Sequence, residues 1–226
     1  MGRAKEIKVK VINSTIANEF IKQHHYSGKV VNNSILHFGC FLDNKLGGVM
    51  SYGNPIETSN KGMNAKWNEM LELNRMGFSS LLPKNSESRC ISVSIKLIKK
   101  NAPQIKWILS FADGTQCGDG TIYRASGFYL TGINKNSTIY KLPSGETIAK
   151  HGTSKKDFTG AEKLKGYQLR YIYLIDKKSK LNVENLPFIF FVFGKTVSST
   201  TVIILSVLCF LINGVSETLI CFQVGN

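Results

Sequence analysis

The apolar positions of this chain change period several times, and each change predicts an element. Lys8-Val9-Lys10-Val11-Ile12 alternates polar and apolar, the spacing of a half-buried strand. Ser14 or Thr15 can cap a helix to about His24, with Ile16, Phe20 and Ile21 on its apolar face. Residues 36–42 and 46–52 are strand-like runs around Asp43-Asn44, a hairpin signal. Gly47-Gly48 and Gly53 mark a bulge or a close backbone approach. Residues 70–76 alternate again, with Leu71, Leu73 and Arg75 on one face and Glu72, Asn74 and Met76 on the other. Residues 90–100 return to helical period through Ile91, Ile95 and Ile98, with Val93 and Leu97 adjoining and Ser86 or Ser88 as N-cap. Residues 107–112 form one apolar run of buried-strand length. Residues 167–175 read as a last strand, with Tyr167, Tyr171 and Tyr173 either stacking rings or sheet residues.

The stretch after the buried strand, DGTQCGDGTIYRASGF at residues 113–128, organises the rest. Its glycines and its two aspartates make a polar loop, Thr121 to Ser126 reads as a short helix, and Gly127 is placed to stop it. A strand, a carboxylate-bearing loop and a helix build a site at the carboxyl end of an α/β sheet; the bland alternative is a turn without chemistry. Upstream, the polar run 83–89 leads into a helix. A hydroxyl at Ser86 or Ser88 and a cation at Arg89 there suit an anion, because unpaired N–H groups and the helix dipole both favour negative charge. The run lacks the glycines of a P-loop. His24-His25-Tyr26 end the first predicted helix, either as favourable charge on the dipole or as a proton relay or metal ligands.

Composition adds the nature of the partner. The 226 residues suit one domain, or one domain with an appendage, and 42% are hydrophobic, enough for a core. Lys and Arg number 29 against 15 Asp and Glu, a net charge of +14 that favours an anionic partner: nucleic acid, a phosphate-rich cofactor or an anionic membrane. Residues 131–166 are polar and lysine-rich and read as a flexible segment suited to a phosphate backbone, or as a solvated loop. Five irregularly spaced cysteines form no zinc pair and fit a reducing cytoplasm. Cys40 and Cys90 read as core, and Cys117, in the polar loop, carries the one catalytic argument among the cysteines. No signal peptide is expected. Residues 187–226 are set apart as an apolar tail. Within it, 196–216 hold no charge and just suffice to span a bilayer, with a buried element or a frame-shifted tail as rivals.

The predicted order of elements resembles the Gcn5-related N-acetyltransferases. This implies an α/β fold, an acyltransferase-like mixed central sheet flanked by helices. It also implies a helix N-terminus near Ser88 for the acyl donor's pyrophosphate and a tyrosine acid at Tyr123. The family's glycine-rich pyrophosphate loop is replaced by Asn85-Ser86-Glu87-Ser88-Arg89. The longer motifs HHYSGKVVNNSILHFG, WNEMLELNRMGF, LPKNSESRCISVSIKLI and KWILSFADGTQCGDGTIYRASGF resemble the Mom family of phage DNA modification proteins over about residues 20 to 186. That resemblance implies conversion of adenine in double-stranded DNA to N6-carbamoylmethyladenine, protecting phage DNA from restriction in the host cytoplasm. It implies activity at His25, Tyr26, Arg75, Ser88, Asp113 and Tyr123; the anion-binding reading of the polar run adds Ser86 and Arg89 beside the donor. It also implies iron, for which His25 and Tyr26 are the available ligands. The donor is either acetyl-coenzyme A or a glycyl donor such as an aminoacyl-tRNA. A conventional acetyltransferase and a non-enzymatic basic DNA-binding protein are the rival readings.

Overall fold

The computed structural model describes residues 2–55, 66–115, 118–136, 139–149 and 157–178. All belong to the first of two units, 1–186 and 187–226. Expectations for Cys117 and for the apolar tail therefore lie outside the described residues. Among the described residues no helix is long and apolar enough to cross a membrane.

A seven-stranded mixed sheet forms the centre. Its elements are β1 (Lys8–Val11), β2 (Ser34–Leu42), β3 (Lys45–Gly53), β4 (Met70–Phe78), β5 (Trp107–Asp113), β6 (Tyr129–Asn136) and β10 (Gly166–Leu174). The spatial order is β1-β2-β3-β4-β5-β10-β6. All neighbours are antiparallel except β4 and β5. Helix α1 (Ser14–His24) covers one face and α2 (Ser86–Asn101) the other, giving the mixed α/β arrangement flanked by helices.

The β2–β3 turn follows from its residues. Asp43 and Asn44 both have positive φ, 50° and 61°, the type I′ geometry that matches strand twist. The register slips at Gly47, the expected bulge. Asn13, rather than Ser14 or Thr15, caps α1: its side-chain oxygen accepts the N–H of Thr15 at 2.7 Å. The buried stripe of α1 is Ala17, Phe20 and Ile21 against Val49, and Ile16 stays exposed. On the opposite face Cys90, Ile91, Ile95 and Ile98 of α2 pack on Phe38, Cys40, Tyr52, Leu71 and Ile108. Ser94 joins that buried face because its hydroxyl is paired with the Tyr52 hydroxyl at 2.6 Å.

The lysine-rich region departs from the flexible segment expected. Strand β6 continues to Asn136, and β7 (Ile139–Lys141), β8 (Thr147–Ala149) and β9 (Glu162–Lys163) form a second sheet in the order β8-β7-β9. Composition conceals this because Ile139, Tyr140 and Ile148 are too short a run to outweigh the surrounding polar residues.

Candidate active site

The site is opened by the one parallel pair. β4 and β5 share rungs only from Met70–Trp107 to Leu73–Ser110, although both strands continue. The Ser110 hydroxyl donates to the Leu73 carbonyl at 2.9 Å and closes the last rung. Beyond it the strands part around a cavity of about 470 Å³, within the roughly 300–1,000 Å³ of small-ligand sites. His25, Tyr26, Arg75, Asp113 and Tyr123 line it together with Glu87 and Gly118–Asp119–Gly120. Residues from three separate stretches of the sequence, around 25, 75 and 113–123, thus share one wall system.

Arg75 reaches the cavity through a bulge. Ser51 pairs with Arg75 and Tyr52 with Leu73, so Asn74 is the extra residue. The bulge resets the alternation read from sequence: Met76 and Phe78 pack in the same core cluster as Leu71 and Leu73. Gly77, by contrast, faces Ile21 of α1. The Arg75 guanidinium donates to the Lys29 carbonyl at 2.9 Å and the Asn74 carbonyl at 2.7 Å. Among the described residues it forms no salt bridge. Burial lowers its pKa from the usual value, with Tyr26 and Glu72 acting the other way. A cation aimed by two carbonyls at a cavity wall suits an anion or a developing oxyanion.

His25 lies at the C-cap of α1, beside that cation. Burial first, and Arg75 second, lower its pKa from 6.5 to about 4, so the ring is neutral at ordinary pH. Its Nδ1 lies 2.8 Å from the Ser27 hydroxyl and accepts the Ser27 backbone N–H at 3.1 Å. A backbone N–H can only donate, so the ring proton sits on Nε2. The Tyr26 ring leans on the imidazole at 4.3 Å. These features give the expectation of iron at His25 and Tyr26 no support. One ring nitrogen is engaged, the other is protonated, and a guanidinium lies beside them. Among the described residues no three His, Cys, Asp or Glu side chains gather as a metal site.

The opposite wall is the polar loop. Asp113 ends β5, and its carboxylate accepts the Thr115 N–H at 2.9 Å. Tyr123 lies on α3 (Thr121–Ala125), its ring 5.3 Å from Tyr171 and 5.5 Å from Phe128. The loop before it is clasped. Tyr171 donates to the Asp119 carbonyl at 2.6 Å, and Arg124 donates to the same carbonyl and to the Asp119 carboxylate, both at 2.7 Å. Hydrogen bonds from Thr121 and then Arg124 hold the Asp119 carboxyl below the usual carboxylate range. Gly120 is required here: its φ is +71°, and a Cβ would stand 2.4 Å from the Tyr171 ring.

The N-terminus of α2 differs from its sequence reading. The helix begins at Ser86, with Asn85 in the left-handed conformation as N-cap. The Ser86 hydroxyl turns back to the Pro83 carbonyl and that of Ser88 to the Asn85 carbonyl. Ser86, Ser88 and exposed Arg89 are not among the cavity-lining residues; Glu87, between them, is. Sequence reasoning gave no role to Glu87, Asn74, Asp119 or Arg124 individually, and read Tyr171 only as a stacking ring or a sheet residue. Asp119 carries a signal, since Asp-Gly-Thr is an Asx-turn sequence. The others depend on register and helix phase.

The model of the Mom protein family matches residues 6–189. The methylcarbamoylase mom of Escherichia phage Mu is 36% identical over 208 residues, 82% of each chain. Among solved structures, a GNAT family acetyltransferase from Elizabethkingia anophelis with acetyl-CoA bound covers 75% of this chain and 98% of its own, with TM-score 0.48 and 12% identity. A ribosomal-protein-S5-alanine acetyltransferase from Vibrio fischeri covers 77% and 96%, with TM-score 0.48 and 14% identity. With 36% identity across 82% of its length and a family match from residue 6 to residue 189, the chain belongs to the Mom protein family.

Proposed function

We propose that this chain is a transferase that converts adenine in double-stranded DNA to N6-carbamoylmethyladenine, using a glycyl donor, and so shields phage DNA from restriction in the host cytoplasm. The observation that carries the reading is the single cavity joining Arg75, His25, Tyr26, Asp113 and Tyr123 at the parted strands. The relative from phage Mu, a methylcarbamoylase by name, supports the product.

Acetyl transfer would leave an N6-acetyl group with no second nitrogen. The carbamoylmethyl group, –CH2–CO–NH2, makes glycine amide together with the nitrogen that attaches it to the ring. Adenine N6 attacks the carbonyl of a glycyl ester: the N6–C bond forms, the C–O bond breaks, Asp113 takes the N6 proton and Tyr123 protonates the departing oxygen. The free glycyl amine then attacks C6 through a five-membered ring. The C6–N6 bond breaks, the amine's proton passes to N6, and the old N6 becomes the amide. Atoms balance and nothing is oxidised. Arg75 and the Nε2–H of neutral His25 stabilise the oxyanion, and Tyr26 offers a ring to the extruded base. Glu87 favours the glycyl donor over acetyl-coenzyme A. It stands in the first turn of α2, where a pyrophosphate would meet a carboxylate, whereas the ammonium of an aminoacyl group would be attracted to it. Glycyl-tRNA has that chemistry and suits the +14 surface.

Duplex DNA carrying nitrogen-15 at adenine N6, treated with the purified chain and glycyl-tRNA, tests this order of bonds. The label is expected in the product's amide and released as ammonia on amide hydrolysis. Label retained on the ring-attached nitrogen would overturn the rearrangement.

A further inference from the structure

Strand direction places the second sheet at the site. β5 ends at Asp113, and β10, antiparallel to it, begins at that same end: Gln168 stands opposite Asp113 and opposite Asn134 of β6. The Tyr167 carbonyl accepts the Gly114 N–H at 2.7 Å and ties the start of β10 to the polar loop. The segment that leaves β6 and returns to β10 therefore springs from the rim of the cavity. Between residues 131 and 168 the sequence has seven lysines against three acidic residues.

Tyr167 pairs with Lys135 one position beyond the Asp113–Gln168–Asn134 row. Strands lie about 4.8 Å apart, so the Lys135 backbone is only about 10 Å from Asp113. Tyr167 is exposed, as are Lys135, Lys163 and Lys165. Among the described residues none of these three lysines forms a salt bridge. The Asp157 carboxylate accepts the Thr159 N–H and hydroxyl, and Glu162 stands opposite Lys141 in the strand register.

We infer that this rim, formed by Lys135, Lys163, Lys165 and Tyr167, is the surface on which the DNA duplex lies while one adenine enters the cavity. The inference rests on the DNA reading of the site. A duplex carries one negative charge per about 1.7 Å of axis, so a surface about 10 Å from the entry point of one base meets several phosphates. The donor is assigned to the other wall, at Glu87 and the start of α2.

The test is the affinity of the full chain for a fluorescent duplex, without donor, between 50 and 200 mM salt. The comparison is with a Lys135→Gln/Lys163→Gln/Lys165→Gln variant. Three lost phosphate contacts reduce the slope of log affinity against log salt by about 2.7, and affinity at 0.1 M salt by about two to three orders of magnitude. Lys165→Gln alone, which keeps most of the charge and so guards against misfolding, reduces the slope by about 0.9. An unchanged slope overturns the inference. So does a variant whose DNA affinity is intact but whose KM for glycyl-tRNA rises, because the surface would then serve the donor. A parent chain that binds the duplex through these lysines yet modifies no adenine would contradict the enzymatic reading and leave this surface standing.

Discussion

His25 is set by its neighbours rather than by its own type. An imidazole in water titrates near pH 6.5; here burial and the Arg75 cation bring it to about 4. The unfolded chain therefore takes up a proton at a higher pH than the folded one. Between about pH 6.5 and 4, stability falls as pH falls, and above that window the contribution is constant. The urea midpoint is expected to drop across that window, and His25→Gln to show a shallower drop. Equal declines in both would contradict the assignment. Single residues also show what sequence can convey. Asp43-Asn44 is legible as a hairpin because both types tolerate positive φ. The cap of α1 is not, because Asn13, Ser14 and Thr15 are all capping types, and only the chain's approach selects Asn13.

At the scale of elements, two devices shape the site, and neither is visible in one strand alone. The bulge at Asn74 exists only relative to β3, so a simple alternation puts Arg75 on the same face as Leu73. The clasp of Tyr171 and Arg124 on Asp119 needs β10 to lie beside β5, a register that residues 167–175 do not reveal. Strand, loop, helix and stop at 107–128 are legible, by contrast, since each is marked by its own local residues, Gly127 with φ +84° among them. The clasp holds the loop that carries Asp119 and Gly120 against the cavity and steadies the start of α3, on which Tyr123 sits. Arg124→Ala is expected to lower kcat by up to about 10²-fold, the cost of roughly 1 Å of misplacement, with a small change in the KM for DNA. Arg124→Lys, which restores one donor, should recover part of it. A loss seen only in thermal stability would reduce the clasp to a structural role.

Across the whole molecule, charge and shape divide the work. The chain carries a net charge of +14, whereas the lining of its cavity mixes Arg75 with Glu87, Asp113 and Asp119. The excess charge suits the polymer, and the mixed lining suits a base and an acyl group bearing an amine. The fold class and the cavity's main residues are legible because the long motifs around His25, Arg75 and Asp113 are distinctive. The second sheet and Glu87 are not, because both depend on where elements meet. The most direct test is mass spectrometry of nucleosides from plasmid DNA made in cells expressing this chain or its Asp113→Ala variant. An adenosine heavier by one carbamoylmethyl group, present with the parent and lost in the variant, is the expected result. Unmodified DNA from both, with each protein folded and bound to DNA, would contradict the account.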